Sequence, residues 1–83
     1  MGLEGVEIVM EAEKAFAIEI TNPEAARLRV VEDLHLLVMT KLAHSQPDPT
    51  AVWTKVVDIV HEATYTPREH IKPGSKWSEI GVR

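Results

Sequence analysis

The chain has no cysteine, which removes disulfide frameworks and zinc–thiolate sites at once and leaves packing as the source of stability. It also lacks any apolar run approaching the length of a membrane span, so no membrane-spanning helix is expected. The opening Met1-Gly2-Leu3-Glu4 places an acid where a secretory leader carries base, and a cytoplasmic location is the resulting expectation. There is no excess of positive charge. A formal net charge of -4 argues against a nucleic-acid partner and favours a protein with a basic docking surface. Internal repeats and low-complexity segments are absent as well.

What remains is an ordinary globular composition in a short chain. Of 83 residues, 45% are apolar and 27% charged, which supports a single small domain, residues 1–83, with one modest core. Leu3, Val6, Met10 and Ala17 recur at helical spacing, widened by Val9 and Phe16, and predict a first helix of about four turns. Glu4, Glu7 and Glu11 share one side of it as an acidic ridge, with Glu4 in the turn that the helix dipole favours for an anion. Asn22-Pro23 reads as an N-cap with proline following, opening a short second helix through Ala26. Val31, Leu34, Leu37, Val38 and Leu42 predict a buried third helix.

The polar stretch around His44-Ser45-Gln46-Pro47-Asp48 reads as a linker. Asp48-Pro49 then starts a fourth helix, carried by Val52, Val56, Ile59 and Ala63 and flanked by Trp53, Val57 and Val60. Thr66-Pro67-Arg68-Glu69 has the spacing of a capping box. Trp77 and Ile80 are expected to anchor an irregular tail, and Trp53 and Trp77 to belong to the core.

Gly2-Leu3-Glu4-Gly5-Val6-Glu7-Ile8-Val9-Met10, followed by Phe16, Ile18-Glu19-Ile20 and Val31, resembles the second half of acyl carrier proteins and related phosphopantetheine carrier domains. Their pattern runs Asp-Ser-Leu-Asp/Glu, Val-Glu-Leu-Val, a Phe, an Ile-x-Ile and a final helix. The family's first helix is missing from its usual place. The helix from Pro49 to about Thr64, the turn at residues 66–71 and Trp77-Ser78-Glu79-Ile80-Gly81 are similar to that first helix, its loop and the Phe-x-Asp-Leu-Gly lead-in. The resemblance thus covers nearly the whole chain with its halves in swapped order. It implies an all-α, acyl-carrier-protein-like four-helix bundle whose helix order is circularly permuted. Residues 1–43 then stand for family helices two to four, 44–48 for a linker, and 49–83 for the first helix and following loop. Permutation is tolerated where chain ends lie close and a short segment can join them.

The resemblance fails where carrier chemistry needs it. The serine that bears the 4'-phosphopantetheine arm corresponds to Gly2, which has no atom to modify, and Arg83 or Met1 stands in place of the preceding acid. Ser45, Ser75 and Ser78 lie in the linker or loop, where polar turn or capping roles are expected. Val30 occupies a position where the family often has a capping threonine, so fraying is expected at that helix start. No catalytic residue and no metal site is assigned, since His35, His44, His61 and His70 share no i, i+3 or i+4 spacing. His61-Glu62 and Glu69-His70 point apart and have no nucleophile beside them.

The reading is a non-catalytic binding module with no cofactor, docking a protein with a basic patch, a biosynthetic enzyme being one candidate, through Glu4, Glu7 and Glu11. The bland alternative for those acids is a solvated helix face. A genuine carrier for fatty-acid, polyketide or peptide assembly, modified with 4'-phosphopantetheine at an unexpected serine, is the alternative function. No nucleic acid or membrane is expected, and the chain is either a monomer or a dimer formed by helix exchange.

Overall fold

The computed structural model describes the backbone over residues 3–80 and the side chains over residues 5–80. Within that span the chain forms four α-helices: α1 (Leu3–Phe16), α2 (Asn22–Ala26), α3 (Val31–Lys41) and α4 (Pro49–Thr64). Short 3-10 turns lie at Ala43–Ser45, Arg68–His70 and Trp77–Glu79. The described residues contain no strand beyond an isolated antiparallel bridge between Val30 and Lys76. The all-α class follows directly.

α4 is the centre of the packing and lies against both α1 and α3. It starts where Asp48 Oδ1 accepts the Thr50 N–H at 3.0 Å, and it buries Val52, Val56, Val57, Ile59 and Val60. So many β-branched residues lower intrinsic helix propensity, but their stiff side chains lose little freedom when packed. α3 contributes Val31, Leu34 and Val38, each fully buried. Ile71, Trp77 and Ile80 of the tail close the remaining side of this core, Trp77 and Ile80 being the anchors expected from the sequence. Trp53 is half-buried and meets the edge of His35 at a ring separation of 5.5 Å.

The buried face of α1 differs from the stripe read in the sequence. Gly5, Ile8 and Ala12 face inward, with Val9 and Phe16 packed against the core, while Val6 and Met10 are 55% and 51% exposed. Both sets recur at three and four, so periodicity alone does not choose between them. Packing does: α1 lies against α4, and Ile8 and Ala12 are the positions left with no exposed surface. Ala17 lies beyond the helix in the left-handed region, φ 53°, and the Ile18 N–H reaches back to Glu13 O at 3.1 Å as a Schellman ending.

Three capping expectations change. α2 is capped by Thr21, not Asn22: Thr21 and Glu24 form a reciprocal box, whereas the residue three beyond Asn22 is Ala25, which has no acceptor. Thr66 does not cap the 3-10 turn at Arg68–His70. Its hydroxyl donates to Ile80 O at 2.8 Å and lies 2.8 Å from Thr64 Oγ1, tying the tail to the end of α4. The start of α3 does not fray. Val30 offers no side-chain acceptor, yet the Val31 and Glu32 N–H groups donate to Ser75 O and Pro73 O, both at 2.9 Å, and the Asp33 N–H donates to Val30 O. Asp33 in turn accepts from the Arg29 and Val30 N–H groups. A distant loop supplies what the missing threonine does not.

Candidate functional site

α1 presents three different faces because successive residues turn by roughly 100°. One is the buried face described above. The second carries Glu7 and Glu11, both exposed, with Glu11 Oε1 3.9 Å from Lys14 Nζ. The third carries Val6 and Met10. Glu4 belongs to the second by position, but its side chain lies outside the described residues. Gly2, at the position matching the attachment serine, lies outside them as well. Glu7 and Met10 are i, i+3 neighbours, so the acidic and exposed apolar faces adjoin on the helix surface.

α2 turns the exposed apolar face into one wall of a cleft. The opening between α1 and α2 has a volume of about 430 Å³ and is walled by Val6, Val9 and Met10 on one side and Asn22, Ala25 and Ala26 on the other, with Ile20 and Leu28 beneath. Two bonds fix the walls. Glu13 Oε2 accepts the Ile20 N–H at 2.9 Å, holding the connection against α1. Lys41 Nζ lies 2.8 Å from Glu24 Oε1, holding α2 against the last turn of α3. The Lys41 ammonium, joined by the Thr21 backbone N–H, holds the Glu24 carboxyl at about 2, well below its ordinary 4.5.

A second concavity of about 440 Å³ lies where α1 and α3 end, between Phe16, Ile18 and Glu19 and the residues Lys41, Leu42, His44 and Ser45. It gathers polar groups without organising them for chemistry. Lys41 is engaged with Glu24, and no hydrogen bond links Ser45 to His44 among the described residues. The other serines have local roles or none: Ser75 Oγ accepts from the Lys72 N–H and donates to His70 O, and Ser78 is exposed on the last 3-10 turn.

The histidines remain apart. His35 Nε2 is 3.1 Å from Pro49 O, which places a proton on that nitrogen, and His61 Nδ1 is 2.7 Å from Thr66 O. His44 and His70 are exposed. Among the described residues no three His, Asp or Glu side chains are grouped to hold a metal ion. Nor is any of their helices long and apolar enough to cross a membrane.

No protein-family model, curated protein or solved structure matches this chain. The functional reading therefore rests on the residues themselves. Val6 and Met10, read from the sequence as part of the apolar stripe of the first helix, and Ala25 and Ala26, read only as part of the second, are the cleft positions that sequence reasoning assigned to no site. The usable signal was the pair of Ala residues on the short second helix, too small to cover a neighbour.

Proposed function

We propose that this chain is a non-catalytic binding module that docks a protein partner bearing a basic patch through the outward side of α1. In this reading it is an acyl-carrier-protein-like bundle with permuted helix order and no phosphopantetheine arm. The observation that carries the reading is the exposure of Glu7 and Glu11 on neighbouring turns of α1, immediately beside the exposed Val6 and Met10. A solvated face normally mixes charge with other polar groups. Here charge adjoins two large apolar side chains, the composition of an interface with a charged rim. Acids at such a rim steer a basic partner toward the site and reject an acidic one.

The test is capture of partners on the immobilised chain at low and high salt, with wild type and Glu4→Lys/Glu7→Lys/Glu11→Lys side by side. Loss of salt-sensitive partners in the charge-reversed chain is expected. An unchanged set of captured proteins removes the proposal. Intact mass after incubation with coenzyme A and a promiscuous phosphopantetheinyl transferase tests the missing arm, with an ordinary carrier protein as control. No mass gain beside a modified control is expected; a gain of one arm replaces this reading with that of a working carrier.

A further inference from the structure

We propose that the cleft between α1 and α2 receives one bulky apolar side chain from a basic amphipathic helix of the partner, while Glu7 and Glu11 align that helix along α1. The inference rests on the docking reading above and specifies what the docked element is.

The cleft is large enough to hold a side chain from outside. Its volume of about 430 Å³ falls in the range of roughly 300–1,000 Å³ typical of occupied pockets. Its lining is mainly aliphatic, with Ala25 and Ala26 leaving room that a larger residue would fill. Met10, unbranched and polarizable, adapts its shape to whatever enters. Val6 and Met10 are about half exposed on successive turns, the i, i+4 relation by which one helix offers an apolar seat to another.

Charge selects the occupant. Glu7 and Glu11 border the apolar pair on α1, and the chain as a whole carries -4, so an anionic helix or an anionic lipid surface is repelled. A second copy of the chain does not qualify. Among the described residues each of the four α-helices carries at most one lysine and no arginine, so none of them is a basic amphipathic helix. The complementary element is a helix with lysine or arginine on one side and a large aliphatic or aromatic residue adjoining them.

The probe is a synthetic helical peptide with a lysine face and a leucine-phenylalanine stripe, compared with a twin in which glutamate replaces every lysine. Binding is followed through the methyl resonances of Val6, Val9, Met10, Ala25, Ala26 and Leu28, with Val60 as a buried reference. Shifts confined to the cleft methyls with the lysine peptide, and none with its twin, are expected. Ala26→Trp fills the cleft from an exposed position and is expected to weaken binding at least tenfold while leaving the helical circular dichroism intact. Met10→Ala, which removes one wall without adding bulk, is expected to weaken it severalfold.

Unchanged affinity in both variants overturns the inference. If Glu7→Gln/Glu11→Gln still weakens binding in that case, the acidic docking face stands and the cleft does not. If neither the cleft nor the charge variants matter, both readings fall. Sedimentation of the chain with phosphatidylcholine vesicles, combined with still methyls in the peptide titration, also overturns it, in favour of a lipid surface.

Discussion

Lys41 Nζ lies 2.8 Å from Glu24 Oε1, so the last turn of α3 holds a helix of five residues, none of them fully buried. A helix this short is not stable by itself. Its position comes from the Thr21–Glu24 box, from Ala25 packed on the core and from this ion pair. The wall of the cleft is thus held by a carboxylate.

That arrangement predicts an acid-side loss of stability. The Glu24 carboxyl is held near 2 when folded against an ordinary value of 4.5. A depressed carboxylate stabilises the fold fully above the unfolded value, and the contribution fades as pH falls toward the folded one. The melting temperature of wild type is expected to exceed that of Glu24→Gln at pH 6, and the gap to shrink steadily between pH 4.5 and 2. Parallel melting curves across that window would show that the pair does not stabilise the fold.

Ala17 and Tyr65 both end helices in the left-handed region, at φ 53° and 60°, where a β-carbon costs roughly 1–2 kcal/mol. Glycine avoids that cost and gives back part of the gain through the unfolded chain, about 0.5–1 kcal/mol. Ala17 is exposed and Tyr65 is 87% exposed, so little packing is lost. Ala17→Gly and Tyr65→Gly are each expected to raise the urea midpoint, by the equivalent of about 0.5–1 kcal/mol. A lowered midpoint at both sites would refute the assigned geometry.

Two leucines of α3 give opposite expectations. Leu34 is fully buried and Leu36 is 54% exposed. Leu34→Ala should cost about 2–5 kcal/mol, a large part of the roughly 4–12 kcal/mol that a chain of this length holds in total. Leu36→Ala should stay within about 0.5 kcal/mol. Chemical denaturation of both variants decides whether α3 is seated as described.

The same comparison tests the orientation of α1. Ile8→Ala is expected to cost about 2–5 kcal/mol, because Ile8 is fully buried in the core and its truncation leaves a cavity. Met10→Ala is expected to cost under about 1 kcal/mol. Reversed magnitudes would restore the stripe read from Val6 and Met10.

How far the sequence was legible depended on how many solutions each pattern admitted. α4 was read with its true limits because Asp48-Pro49 marks its start and a single apolar face follows. α3 was equally clear, since acids at Glu32 and Asp33 and a base at Lys41 bracket its apolar positions. α1 was not, because Val6, Ile8, Val9, Met10 and Ala12 surround most of the helix, and only the neighbour that packs on it decides which are covered. The capping of α2 turned on reciprocity between Thr21 and Glu24, which a search for the residue before proline overlooks. The intact start of α3 was out of reach of any local pattern, because its acceptors come from Pro73 and Ser75. The acidic residues of the candidate site were legible as a helical ridge, while the adjoining cleft exists only once α2 is folded back beside α1.

The use of those distant carbonyls has a consequence for the order of events during synthesis. The first N–H groups of α3 find their acceptors in a loop that emerges from the ribosome roughly forty residues later, and contacts of such separation form slowly because the chain between them must close first. α1 and α3 have no finished partner surface until α4 and residues 71–80, which follow them in the chain, have been made. The domain is therefore expected to become compact in one late step, once the loop at residues 73–75 has emerged, with its first half dependent on chaperones or on speed until then.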